Sequence, residues 1–140
     1  MMDSRQIDRV IRRHVRAFDG VYSCDDLPQR NPRLLVANTD PSDEPGEHWI
    51  AISMDENGNG KYFDSFGRPP PTSFECYLDR HCTSWTHKAT QYQSATSEVC
   101  RQYCVVWCVL NSRQVDLRGL LSGDDTGLND CIVREIASKL

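Results

Sequence analysis

The segment from His48 to Phe66 leaves the chain few choices. Two apolar runs, His48 to Met54 and Lys61 to Phe66, flank the linker Asp55-Glu-Asn-Gly-Asn-Gly60. Asn-Gly dipeptides supply the positive φ that tight hairpin turns need, and two of them occur in this one linker. The spacing predicts an antiparallel hairpin, so a sheet must form and the rest of the chain has to cover it.

The flanking sequence supplies the cover. Ile7, Val10, Ile11, Val15 and Phe18 follow the helical period, which predicts a helix over 4–18 capped by Asp3 or Ser4 and ended by Gly20. Residues 21–32 read as a loop, 34–38 as a short buried strand and 39–47 as a polar loop. After the hairpin, Gly67 and Pro69-Pro70-Pro71 break the pattern. Thr72-Ser-Phe-Glu75 fits a capping box for a short helix bearing Phe74, Tyr77, Leu78 and His81 on one face. Residues 84–92 read as a strand, and 98–111 as an apolar helix with Val99, Val106, Trp107 and Leu110 inward and Ser94, Thr96 or Ser97 as its cap. A Gly/Asp loop over 122–127 leads to a last helix over 128–140, with Leu128, Ile132, Ile136 and Leu140 inward. This order predicts one α+β domain over residues 1–140, with helices packed on a small, largely antiparallel sheet.

Composition narrows the class. With 39% hydrophobic and 26% charged residues, the chain can build a core and is not a disordered segment. No apolar run reaches the roughly 18 residues of a membrane span, and the N-terminal segment lacks the apolar region of a secretory signal. The formal net charge of -4 argues against nucleic acid as a partner. Five arginines between Arg5 and Arg16 read as the solvated face of the first helix. Seven cysteines, an odd number with no CxxC pair, point to reduced thiols in an intracellular, reducing compartment (cytoplasm, nucleus or virion). Cys100, Cys104 and Cys108 share a helix face, but no histidine or second cysteine pair stands at zinc-finger spacing, so no metal and no cofactor are expected. Cys104 and Cys108 read as small core residues.

Four residues carry chemistry. Cys100 falls in the first turn of a helix, where the dipole and the backbone N–H groups favour a thiolate. His48 begins a strand directly after a polar loop, so its ring can reach a neighbouring element and serve as base to a thiol. Asp64 interrupts an apolar strand, and a carboxylate there needs a partner or costs about several kcal/mol. A turn pairing about Asn57-Gly58 brings Asp64 close to His48 but not directly across, and one centred nearer Glu56 sets them opposite. Gln93 precedes Cys100 by seven residues, and its side-chain amide can donate to an oxygen held beside the sulfur, with Gln91 as a competitor.

In their order His48, Asp64, Gln93, Cys100 these residues resemble the adenovirus-protease (adenain) family and the related SUMO-specific proteases. The stretches that carry the likeness are Gly46-Glu-His-Trp-Ile-Ala51, Tyr62-Phe-Asp-Ser-Phe-Gly67 and Gln93-x6-Cys100-x3-Cys104. The run Asn38-Thr-Asp-Pro-Ser-Asp43 looks closest to the adenain-like proteases of Maverick/Polinton transposons and adintoviruses. The resemblance implies a papain-like cysteine protease fold with permuted segments, a protein or peptide substrate, and processing of viral or transposon structural precursors. It allows an activating peptide as partner, although no residue here identifies one. A ubiquitin-like-modifier isopeptidase and a catalytically inactive protein-binding relative are the alternatives. Arg101 departs from the pattern, since these families usually carry glycine directly after the cysteine. Its head is expected to swing into solvent with the stem along the surface.

Overall fold

The computed structural model describes residues 2–43 and 48–140. Part of the polar loop expected over 39–47, and Gly46 and Glu47 of the histidine motif, therefore lie outside the described residues. The strands are β1 (Gly20–Ser23), β2 (Leu34–Asn38), β3 (Trp49–Met54), β4 (Asn59–Phe63) and β5 (Ser84–His87), and the helices α1 (Ser4–His14), α2 (Thr72–His81), α3 (Cys100–Ser112) and α4 (Thr126–Ser138). One sheet holds the strands in sequence order. The predicted hairpin is its centre, with β3 antiparallel to both β2 and β4. The outer strands β1 and β5 join in parallel, so the α+β class is the one found and the sheet is mixed.

Pleating sorts the side chains onto two faces. Leu34, Val36, Trp49, Ala51 and Phe63 pack with Ile7, Ile11 and the inner face of α3 in one core. Leu35, Ala37, Ile50, Ile52 and Tyr62 pack with Phe74, Tyr77 and Leu78 of α2 in the other. Every residue of β2 and β3 is buried, as central strands covered on both faces must be. Among the described residues, no helix is long and apolar enough to cross a membrane.

Several boundaries differ from the sequence expectation, each for a local reason. Asp3 caps α1 in a capping box with Gln6, but the helix stops at His14 because Val15 is extended. Arg12 then holds the exit by donating to Phe18 O at 2.9 Å. Gly20, at φ 138°, opens β1 instead of ending the helix, and β1 lies in the stretch expected to be a loop. Its burial is incomplete beyond Gly20, so the sequence shows no apolar alternation there. Helix α2 is preceded by Pro71 and lacks a side-chain cap, so Thr72 does not act as a capping box. Helix α4 starts earlier than expected, with Leu128 N donating to the Asp125 carboxylate at 3.0 Å. This turns Asn129, Asp130 and Val133 inward and leaves Leu128 52% exposed.

Gly67 is fixed by its surroundings. Its φ is 74°, and a Cβ there would stand 2.7–2.9 Å from backbone atoms of Ala89 and Thr90. Backbone cannot swing aside as a side chain can, and a left-handed φ adds strain of its own. Gly67→Ala is expected to lower stability by about 2–4 kcal/mol, read as a drop in the urea midpoint with unchanged slope; an unaltered midpoint would mean that this close approach is not maintained in solution.

Candidate active site

Helix α3 starts at Cys100, with Val99 at the N-cap offering no side-chain cap. The first turn of an α-helix has amides without intrahelical partners, and its dipole favours an anion. The helix packs its inner face on β3, which buries Cys100 to 4% exposure. Immediately before it, Ser97 N donates to Ser94 O at 3.1 Å and folds the chain into a turn.

His48 stands one residue ahead of β3, and its carbonyl accepts Thr39 N at 2.9 Å, which extends the ladder and fixes its backbone. Extending the Ala51–Phe63 register outward places Phe66 opposite His48. The two rings pack at 5.0 Å between centroids. Asp64 lies just past β4, not in mid-strand as expected, because the chain turns there with Gly67 N donating to Asp64 O at 2.8 Å. The turn aims the Asp64 carboxylate back at the imidazole. His48 Nε2 donates to Asp64 Oδ1 at 2.9 Å, and Phe66 N donates to the same oxygen at 2.8 Å. Asp64 is only 5% exposed, so both bonds are needed to offset its burial.

The other side of the imidazole meets the thiol. Cys100 is hydrogen-bonded to His48 and to the backbone of Trp49. With Nε2 committed to Asp64, Nδ1 is the nitrogen left for the sulfur. Burial opposes both ions. It pulls the His48 pKa down, yet the bonds and charges of Asp64 and Cys100 carry it up to about 9. Burial pushes the Cys100 pKa up, yet the His48 bond, the Trp49 backbone bond and the charges of His48 and Arg101 bring it below the ordinary thiol value. Cys104 and Cys108 share the same helix face but have no hydrogen-bonded histidine, and burial above all holds their thiols protonated. Arg101 does not extend into solvent as expected. It is partly buried, with its guanidinium carbon 5.5 Å from the centroid of the Trp49 ring.

Gln93 is fully buried and held at both ends. Ser65 Oγ donates to its Oε1 at 2.6 Å, and its Nε2 donates to Ser97 O at 3.0 Å and Ser97 Oγ at 3.1 Å. Gln91, the competing amide, is exposed and spends an N–H on Gln93 O at 3.1 Å. Ser65 is not legible as a site residue: only its tertiary hydrogen bonds with Tyr92 and Gln93 bring it beside the segment before α3. A cavity of about 290 Å³, floored by the stacked rings of Phe63 and Trp107, lies behind Asp64 and is not lined by Cys100, His48 or Gln93. Among the described residues, no three His, Cys, Asp or Glu side chains are grouped to hold a metal ion.

No family model and no curated protein sequence matches this chain. Solved structures do. The crystal structure of ASFV pS273R protease superposes with a TM-score of 0.71 at 17% identity, over 96% of this chain and 66% of that one. The fold is shared with that protease. A selenomethionine form of the same protease superposes with a TM-score of 0.53 at 26% identity, over 75% of this chain. The chain spans less than two thirds of the length of these neighbours, 66% and 44% of them.

The electrostatics generate a labelling prediction. A Cys100 pKa below the ordinary value means that its thiolate is present at lower pH than for an ordinary thiol. A His48 pKa of about 9 keeps the imidazolium beside it through neutral pH and loses it above that value. Iodoacetamide at pH near 6, mapped by mass spectrometry, should therefore modify Cys100 before the other six cysteines. In His48→Ala the acid limb of the Cys100 rate should move up towards the free-thiol value of about 8.5. Faster labelling of Cys24 or Cys76 would count heavily against the assignment.

Proposed function

We propose that the chain is a cysteine endopeptidase in which Cys100 is the nucleophile, His48 the base and acid, Asp64 the residue that orients the imidazole, and Gln93 an oxyanion donor. The observation that carries this reading is the buried His48–Asp64 bond of 2.9 Å, with the Cys100 thiol on the other side of the same ring at a helix start. The Cys100 thiolate attacks the scissile carbonyl carbon, and the carbonyl electron pair moves onto oxygen. Gln93 Nε2 carries two hydrogens; Ser97 O holds one, and the one shared with Ser97 Oγ turns to the oxyanion. The His48 imidazolium gives its proton to the departing amine, leaving a thioester on Cys100. Neutral His48 then takes a proton from water, the hydroxide adds to the thioester, and Cys100 leaves as thiolate.

The substrate class follows from the resemblance to adenain-like proteases of viruses and Maverick/Polinton transposons and from the likeness to ASFV pS273R protease. The resemblance supports processing of structural precursor proteins, bound as an extended peptide in a groove, and the likeness to a protease supports a protein substrate. Arg101 weighs for an active enzyme over an inactive relative, since its charge lowers the Cys100 pKa and its guanidinium rests on Trp49.

The decisive experiment compares new N-termini in a lysate treated with wild type or with Cys100→Ala. Wild type should generate a set sharing one sequence motif, and the variant should generate none; identical sets would end the proposal. On a peptide built from that motif, Cys100→Ala and His48→Ala should each abolish turnover, Asp64→Asn should reduce it less, and the Cys100/His48 double variant should be no worse than either single one. Arg101→Gly should change kcat/KM less than about tenfold, because its charge is the smallest of the influences that lower the Cys100 pKa. A silent wild type rescued by Arg101→Gly would identify a disabled protease.

A further inference from the structure

The segment that carries Gln93 is gripped from two directions. Ser65 O accepts Tyr92 N at 2.9 Å and Gln93 N at 3.0 Å, which ties the segment to the end of the hairpin. From the opposite side come three buried polar side chains that the reaction itself does not use. Asn129 Nδ2 donates to Tyr92 O at 3.1 Å, and Asp130 Oδ1 accepts Ser94 N at 3.3 Å. Tyr103, on the helix that Cys100 opens, puts its hydroxyl 2.8 Å from Asp130 Oδ1 and 3.1 Å from Tyr92 O. The phenol has one hydrogen for these two acceptors, and the nearer, charged carboxylate takes the larger share. Asn129 is itself locked, donating to Ser122 O at 2.6 Å and accepting Ser122 N at 2.8 Å.

We propose that Tyr103, Asn129 and Asp130 are positioning residues for acyl transfer, which set the place of the Gln93 amide relative to Cys100 by fixing Tyr92 and Ser94 on either side of it. The inference rests on the reading of Cys100 as nucleophile and Gln93 as oxyanion donor. The geometry supports it in a specific way. Asn129 and Asp130 sit next to each other in the first half of α4, and their bonds fall on the residues immediately before and after Gln93. Tyr103 links that grip to the helix holding the sulfur, so donor and nucleophile share one frame.

Two reactions of the same sulfur separate positioning from mere stapling. With p-nitrophenyl acetate, a C–S bond forms at the ester carbonyl, its electron pair passes through an oxyanion, and p-nitrophenolate leaves; water later releases acetate and regenerates the thiol. With iodoacetamide, a C–S bond forms at a saturated carbon and iodide leaves with the C–I electron pair, so no oxyanion arises. Tyr103→Phe is expected to slow Cys100 acylation by about tenfold, as a displaced donor should, and to leave the Cys100 alkylation rate within about twofold. Cys100→Ala supplies the background of the other thiols. Adding Gln93→Ala to Tyr103→Phe should cost nothing beyond Gln93→Ala alone, because both act through one amide. Should Tyr103→Phe fail to fold, Asp130→Asn keeps the shape and removes the charge, and about a threefold loss confined to acylation is expected. Equal losses in both reactions, or a lower melting temperature with both rates intact, would overturn the proposal and leave a structural staple. A wild type without Cys100-dependent acylation would instead overturn the protease reading, and this inference with it.

Discussion

The buried carboxylate of Asp64 is the constraint from which the site follows. A carboxylate at 5% exposure is tolerated only when its lone pairs are occupied, and breaking such a pair costs about 3–5 kcal/mol. Its two partners come from different places: the Phe66 amide from the turn it opens, and His48 from the start of β3. Satisfying the charge therefore fixes where β4 stops and which way the His48 ring faces. Once Nε2 is taken, the chemistry of the imidazole leaves one nitrogen, and α3 delivers a thiol to it.

The mixed sheet explains how α3 comes to be there. The antiparallel hairpin sets His48 and Asp64 at the same end of β3 and β4. Parallel addition of β5 then carries the chain along the sheet toward that end, from Ser84 beside Asn59 to His87 beside Tyr62. The connection over 88–99 passes Gly67, whose lack of a side chain lets the Ala89–Thr90 backbone come close. Tyr92 and Gln93 then hydrogen-bond Ser65 O, and α3 begins beside the histidine. A fully antiparallel sheet would have returned the chain to the opposite end of β4.

What was legible in the sequence was what periodicity and composition encode. The hairpin, β2, α2 and the apolar α3 announce themselves by apolar runs and turn residues, and His48, Asp64 and Cys100 stand out as polar groups at the ends of those elements, with Gln93 in the connection before α3. What was not legible depends on tertiary partners. Strand β1 has weak alternation because it is an edge strand with partial burial, and only pairing with β2 makes it a strand. The hydrophobic period of α4 predicts Leu128 inward, yet Asn129 and Asp130 win the inner face over it, because backbone groups of the 92–94 segment and Ser122 await them there. Arginine length and charge predict a solvent-seeking Arg101, and the ring of Trp49 offers its guanidinium a better surface.

That inner face of α4 bears on how so small a chain stays ordered. Ser65, Gln93, Asn129 and Asp130 are all buried and polar, a group that a core built for stability alone would replace with apolar side chains. Each is hydrogen-bonded, so the desolvation cost is offset without a large gain in stability. What such a network does supply is direction, since hydrogen bonds fix angles that apolar contacts leave loose. Cys104 and Cys108 make the contrast on the same helix as Cys100. They fill space beneath Cys100 with no hydrogen bond required of them, and burial keeps them protonated. One face of α3 thus carries a thiol whose neighbours favour its ionisation and two whose neighbours suppress it. The difference lies mainly in the residues that reach Cys100 from the start of β3, His48 and Trp49, with a smaller contribution from Arg101 on the helix.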